Sequence, residues 1–144
     1  MKPVGLAFLA ILLLGQMTGS AVLAEQEDDA ADTSLSAKGD ADRGRRVFFK
    51  CKACHSLEKN KTSSTANPEI APNLSNLFGR KAGRLPDFPS YSAALKDADF
   101  IWTEKRLDQW IKSPNSMLVG NKMAFSGIRK EQDRYDLLAY LRQK

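Results

Sequence analysis

The chain has 144 residues, enough for one domain, and a formal net charge of +5. Five acidic residues form a leader: Glu25, Glu27, Asp28, Asp29 and Asp32. Once Lys2 and these five are removed from the totals, 21 basic and 12 acidic residues remain, a net charge of +9. Such a field favours anionic partners. Nucleic acid is not expected as the partner, because no aromatic residues alternate with the basic ones as a base-stacking groove requires.

The N-terminus is predicted to be a secretory signal peptide. Lys2 gives the positive start, an apolar run follows, and Val22-Leu23-Ala24 forms a small-residue cleavage site. We predict cleavage rather than a retained anchor, because polar residues shorten the apolar run below the ~20 residues of a spanning helix. The prediction divides the chain into a signal peptide (1–24), an acidic and disordered leader (25–38) and a folded domain (39–144).

The folded domain is predicted to begin with a helix from the capping residue Asp40 to about Lys50. Ala41, Gly44 and Phe48 fall on one face of it. Glycine is a poor helix former in the middle of a helix. It is either simply tolerated here or needed for a close helix crossing. We predict the crossing, with the C-terminal helix as the partner.

The next residues, Cys51-Lys52-Ala53-Cys54-His55, have the spacing of a covalent haem attachment site. Each thiol adds to one vinyl group of the porphyrin, and the following imidazole binds the iron. The alternatives are a thioredoxin-type thiol pair, a disulfide and half of a zinc site. A thioredoxin-type pair would need a βαβ pattern, which is not visible, and a zinc site would need further Cys or His ligands, which the chain lacks. We therefore predict one haem c attached to Cys51 and Cys54, with His55 on the iron.

The rest of the chain is predicted to form short helices separated by long connections, and no alternating strand pattern is present. The fold class is therefore all-α, and a haem supplies the apolar centre that so many loops need. Ser56 to Ile70 is a polar loop. A short helix is predicted from Ser92 to Lys96. A second is predicted from Glu104 to about Lys112, with Thr103 as its cap and Ser113-Pro114 as its stop. A third is predicted from Glu131 to Arg142, and its apolar face carries Leu137, Tyr140 and Leu141.

The second iron ligand is predicted to be a methionine. His55 is the only histidine of the chain, and both cysteines are used in attachment. Met117 and Met123 are the methionines that remain after the predicted cleavage, and either can be a core residue. We favour Met123, because it lies in a glycine-containing loop beyond the proline stop. An iron held from both sides favours electron transfer over catalysis, so the protein is not expected to be an enzyme.

With these residues in place, the chain resembles the class I soluble cytochromes c, particularly the bacterial periplasmic members. The resemblance extends from about Gly39 to Gln143. Its motifs beyond the attachment site are Gly44 and Phe48, Pro72-Asn73-Leu74, Leu77-Phe78-Gly79-Arg80-Lys81, Tyr91-Ser92, Trp102, Leu107, Lys122-Met123-Ala124-Phe125 and Asp136-Leu137-Leu138-Ala139-Tyr140-Leu141.

The resemblance implies further roles around the haem. The carbonyl of Pro72 is expected to accept a hydrogen bond from His55. Arg80, Tyr91 and Trp102 are expected to surround a haem propionate. Trp110 stands where many relatives have a tyrosine, and it either packs in the core or tunes the iron. Three other positions depart from relatives: Ala71 stands where glycine is usual, and Leu95 and Asn121 stand where mitochondrial relatives have an asparagine and a threonine.

The function that follows is a periplasmic, monomeric one-electron carrier that shuttles electrons between redox complexes. Lys50, Lys52 and Lys122 are candidates for docking an acidic redox partner near the haem edge. No stable membrane insertion is expected after signal cleavage. The alternative is a haem sensor or a catalytic haem subunit in which the methionine ligand is displaced.

Overall fold

The computed structural model describes residues 35–58 and 70–144, and the part described is helical. Six helices lie wholly within these ranges: α1 (Ala41–Val47), α2 (Phe49–Lys52), α3 (Ala93–Asp97), α4 (Glu104–Lys112), α5 (Pro114–Met117) and α6 (Glu131–Arg142). In the described ranges the extended structure amounts to one isolated antiparallel bridge, between Lys81 and Ile101. The all-α prediction is confirmed. The predicted signal peptide, most of the leader and most of the loop after His55 lie outside the described residues.

Three of the helices begin where the sequence predicts a cap. The side chains at these caps each accept a hydrogen bond from the main-chain amide three residues further along the chain. The distances are 2.8 Å for Asp40, 3.2 Å for Ser92 and 3.2 Å for Thr103. These bonds satisfy amides that have no partner inside the helix. Helix α4 ends before Ser113, as predicted, but Pro114 then starts the unpredicted helix α5. Proline suits that first position because its missing N–H would have no intrahelical partner.

Helices α1 and α6 cross at Gly44, which is buried against the backbone of α6. A Cβ atom at this position would collide with the Asp136 carbonyl group and would lie 2.8 Å from Cβ of Tyr140. The ring of Phe48 packs on that of Tyr140, with 5.6 Å between centroids. The predicted crossing is therefore confirmed, and it brings the two ends of the folded domain together.

The buried carboxylate of Asp136 stabilises this helix crossing through hydrogen bonds. It accepts hydrogen bonds from the Asp40 amide at 2.8 Å, from Arg43 Nε and Nη2 at 2.8 and 3.0 Å, and from Gln132 Nε2 at 2.9 Å. Burial alone would raise the pKa of this carboxyl. The hydrogen bonds from Arg43, Gln132 and the Asp40 amide outweigh burial and lower the pKa to about 2.

The depressed pKa predicts acid sensitivity that depends on Asp136. Because the folded pKa lies below the ordinary value of 3.8, this carboxylate stabilises the fold above pH 4, and its contribution disappears as the pH falls toward 2. A shift of nearly two pKa units corresponds to about 2 kcal/mol of unfolding free energy. We expect Asp136→Asn to remove about this much at pH 7 and to flatten the loss of stability between pH 4 and 2.

Urea titrations at several pH values measure this effect. The control is Asp133→Asn on the same helix, where the carboxylate is more exposed and pairs with Lys130 at 3.3 Å. It is expected to behave as the wild type does. An equally steep acid profile in Asp136→Asn would contradict the prediction.

A second buried carboxylate, Glu104 at the start of α4, holds both ends of the described chain. It accepts from the Ser36 amide at 2.7 Å and from Arg142 Nε at 2.7 Å. Leu35 packs against the hydrophobic core. Residues 35–38, the end of the predicted leader, are thus packed on the domain, and the prediction of a disordered leader is wrong for them. The predicted domain boundary before residue 39 therefore cuts through a packed part of the chain. No local sequence pattern indicates that Glu104 is buried and binds this segment.

The hydrophobic core lies between α4, α6 and the loops that face them. It contains two edge-to-face aromatic pairs: the ring centroid of Trp102 lies 5.0 Å from that of Phe100 and 5.6 Å from that of Trp110. Leu137 and Leu138 of α6 are both completely buried. One side of this core is open, and that opening forms the cleft described next.

Candidate functional site

A predominantly apolar cleft opens into the core and contains nearly all of the predicted site residues. It encloses about 990 Å³ of empty space when the open solvent at its mouth is included. Residues from α2, α3, α4, α6 and the intervening loops line it. The predicted residues among them are Cys51, His55, Pro72, Arg80, Tyr91, Trp102 and Met123. Cys54 is exposed and is not part of the lining.

The two cysteines and the histidine lie on a single turn at the end of α2. The amides of Cys54 and His55 both donate to the Cys51 carbonyl, at 3.0 and 2.9 Å. Cys51 and Cys54 are not joined in a disulfide. Burial raises the pKa of the Cys51 thiol to about 11. The turn therefore presents two thiols and an imidazole at one edge of the cleft.

His55 is buried and is held by one hydrogen bond. Its Nδ1 lies 2.7 Å from the carbonyl oxygen of Pro72. Since a carbonyl oxygen only accepts, Nδ1 carries the proton, and the lone pair is on Nε2. Burial lowers the pKa of the imidazole, the nearby Arg80 charge lowers it further, and the bond to Pro72 opposes both effects. The ring is neutral and has the tautomer that a metal ligand needs.

Met123 lines the same cleft as His55, on a loop that Asn121 fixes. The Asn121 side chain accepts from the Met123 amide at 2.9 Å and donates to the Leu118 carbonyl at 2.9 Å. Met117, the other candidate, packs against the core and does not line the cleft. The Asn121 side chain therefore shapes the methionine loop.

Arg80, Tyr91 and Trp102 are brought together at the cleft. Main-chain hydrogen bonds link Arg80 with Trp102, where the Trp102 amide donates to the Arg80 carbonyl at 2.9 Å. Burial lowers the pKa of the Arg80 guanidinium. Burial also raises the pKa of the Tyr91 hydroxyl, against the Arg80 charge and a main-chain hydrogen bond at Leu85, so the phenol stays neutral. A partly buried cation beside a neutral donor suits an anionic group such as a carboxylate.

These features fit a covalently attached haem. The cleft is apolar and open at one side, two thiols and a neutral imidazole stand on one turn at its edge, and a thioether sulfur lines it too. A guanidinium is available for a propionate. Zinc has less support, because no cluster of three or more His, Cys, Asp or Glu side chains occurs within residues 35–58 and 70–144.

Three residues in or near the cleft have contacts that add to the sequence prediction. Leu95 lines it and makes this part of the wall apolar. Trp110 lines it and is also buried in the core, so packing and proximity to the cofactor are combined in one side chain. Asn73 belongs to a predicted motif without a predicted role, yet its side chain joins separate segments of chain. The sequence does indicate a role for Asn73, because it directly follows Pro72, whose carbonyl is expected to accept the hydrogen bond from His55.

Comparison with known proteins gives a consistent picture. The cytochrome c family model matches residues 41–144. The chain is 39% identical over 108 residues to cytochrome c2 of Rhodomicrobium vannielii, covering 75% of this chain and 82% of that one. It is 40% identical over 106 residues to cytochrome c of Sesamum indicum, covering 73% and 90%. Among solved structures, cytochrome cH from Methylobacterium extorquens matches with a TM-score of 0.65 and 38% identity, over 74% of this chain and all of that one.

The fold and the cleft define a class I c-type cytochrome. The chain belongs to the cytochrome c family. It binds one haem c covalently through Cys51 and Cys54, and it is an electron carrier rather than an enzyme. Membership of this family confirms two predictions made from the sequence, the haem c cofactor and the role as an electron carrier rather than an enzyme.

Proposed function

We propose that the protein is a periplasmic one-electron carrier whose haem iron is bound by His55 and Met123. The observation that carries the proposal is that these two side chains line one cleft, while Met117 does not. The Pro72 carbonyl fixes the imidazole, and Asn121 fixes the methionine loop. When bound, haem c supplies a one-electron iron couple.

Two ligands from the chain favour electron transfer over chemistry at the metal. A nitrogen and a thioether sulfur together leave no position for a substrate, and the loops that carry them are fixed by hydrogen bonds. Thioether ligation also favours the reduced state and raises the potential. Arg80 and Tyr91 are proposed to face a propionate, where the guanidinium offsets the negative charge.

The proposed partner is a redox protein with an acidic docking surface. Lys50 and Lys52, on the attachment helix, and Lys122, next to the methionine, are exposed, and Lys122 also lines the cleft. Positive charge near the cofactor edge speeds encounter with an acidic surface without requiring a long-lived complex. A monomer suits such brief contacts.

Export is proposed from the N-terminal sequence and from relatives of the cytochrome c2 type. Lys2, the apolar run and the small residues before Glu25 form the predicted signal peptide. The structure adds that no helix of residues 35–58 and 70–144 combines the length and apolar character needed to cross a membrane.

A visible and near-infrared spectrum of the purified holoprotein tests the ligation. We expect low-spin iron in both redox states, a red charge-transfer band from the iron–sulfur bond in the oxidised state, and no carbon monoxide binding by the reduced protein at neutral pH. High-spin iron with ready carbon monoxide binding would instead favour the haem sensor or catalytic subunit.

A further inference from the structure

Asn73 is a buried polar residue whose side chain both donates and accepts hydrogen bonds. Its Nδ2 donates to the Glu58 carbonyl at 2.7 Å, and its Oδ1 accepts from the Ser75 amide at 2.7 Å and lies 2.6 Å from the Ser75 hydroxyl. Buried amides that satisfy donor and acceptor together hold their backbone in one arrangement. Asn73 thereby connects the segment that follows His55 with its own segment, which contacts His55 through Pro72.

The same residue shares a peptide group with the carbonyl that contacts His55. The Pro72 carbonyl and the Asn73 nitrogen belong to one planar unit, so fixing Asn73 fixes the direction of that carbonyl. The next peptide is held too, because Arg80 Nη2 donates to the Asn73 carbonyl at 3.0 Å and the Leu74 amide donates to the Ser56 carbonyl at 2.8 Å.

We propose that Asn73 is a positioning residue that sets the strength of the His55–Pro72 hydrogen bond and, through it, the reduction potential. This inference rests on the proposed ligation of the iron by His55. A strong hydrogen bond from Nδ1 makes the imidazole a more basic ligand. A more basic ligand stabilises the oxidised iron, which carries the higher positive charge.

The direction of the effect follows from this link. Loss of the Asn73 side chain frees the Pro72–Asn73 peptide, lengthens the bond to His55 and makes the imidazole less basic. The oxidised state then loses stabilisation, and the potential rises. A tenfold change in a one-electron equilibrium corresponds to 59 mV. We expect Asn73→Ala to favour reduction about threefold to tenfold on that scale.

The experiment compares three holoprotein variants with the wild type by redox titration and by nuclear magnetic resonance of the His55 Nδ1 proton. Asn73→Ala is expected to raise the potential and to speed exchange of that proton at least several-fold. Ser75→Ala, which removes one of the hydrogen bonds to Asn73, is expected to shift both values in the same direction by less. The third variant, Asp136→Asn, weakens the helix crossing without removing a contact to the Pro72–Asn73 peptide and is expected to leave the potential unchanged.

The outcomes separate a positioning role from a structural one. If Asn73→Ala and Ser75→Ala lower the unfolding free energy but keep the wild-type potential and exchange rate, the inference is wrong. If Asn73→Ala does not accumulate as holoprotein, Ser75→Ala alone decides. High-spin iron in the wild type would instead refute the proposed Met123 ligand and leave the His55 ligand, on which this inference rests, untouched; that result comes from the spectrum before any variant is made.

Discussion

Replacing Met123 by leucine is expected to abolish the low-spin spectrum and to lower the reduction potential by a large part of the roughly 0.8 V range that axial ligands span in haem proteins. Leucine has nearly the same volume, so the cleft keeps its shape while the sulfur donor is lost. On the proposed ligation, the iron then keeps His55 as its only side-chain ligand from the protein. The reduced variant is expected to bind carbon monoxide.

Met117→Leu is the matched control for this experiment. Met117 is partly buried against the core outside the cleft lining, so its replacement is expected to leave spectrum and potential unchanged. Optical spectra, a redox titration and a carbon monoxide titration of both variants complete the comparison. If Met117→Leu lost the iron–sulfur band and Met123→Leu kept it, the assignment of the ligand would have to be reversed.

The second large effect is expected at Gly44. In an ordinary helix, glycine to alanine stabilises by about 1 kcal/mol. At Gly44 the new Cβ would collide with the Asp136 carbonyl and crowd Tyr140, so the helices must move apart. We expect Gly44→Ala to lower the unfolding free energy by about 1–3 kcal/mol, typical of overpacking, and Gly44→Val to prevent accumulation of the folded holoprotein.

Chemical denaturation followed by haem absorbance and far-ultraviolet circular dichroism measures this effect. Arg46→Ala, on the exposed side of the same helix, is the control and is expected to change stability little. A gain in stability for Gly44→Ala would show that helix propensity outweighs the close approach. The crossing would then have to be looser than the contacts of Gly44 indicate.

The sequence predicted those parts of the fold that depend on local chemistry. Asp40, Ser92 and Thr103 are short polar side chains placed before helical patterns, and capping is a local interaction. The helix crossing could be predicted because a glycine weakens a helix unless a neighbouring backbone needs the space that a side chain would fill. The attachment turn could be predicted because the reaction itself imposes the spacing of Cys51, Cys54 and His55.

The features that the sequence did not predict depend on partners distant along the chain. Glu104 looks like an ordinary first-turn acid, and only its contacts with Ser36 and Arg142 account for its complete burial. In the sequence Asn73 resembles an ordinary loop residue, and only the folded structure shows that its side chain binds the Glu58 carbonyl. Helix α5 could not be predicted from Pro114 alone, because a proline can both end one helix and begin the next.

The contacts of Glu104 have a consequence for protein engineering. Since one carboxylate binds both the Ser36 amide and the Arg142 guanidinium, the two ends of the described chain emerge as neighbours. Domains with adjacent termini tolerate circular permutation. A short linker could therefore join the chain near residues 35 and 144, and new termini could be opened elsewhere while the attachment turn stays uninterrupted. Fusion partners joined at either of these two positions would occupy the same side of the molecule.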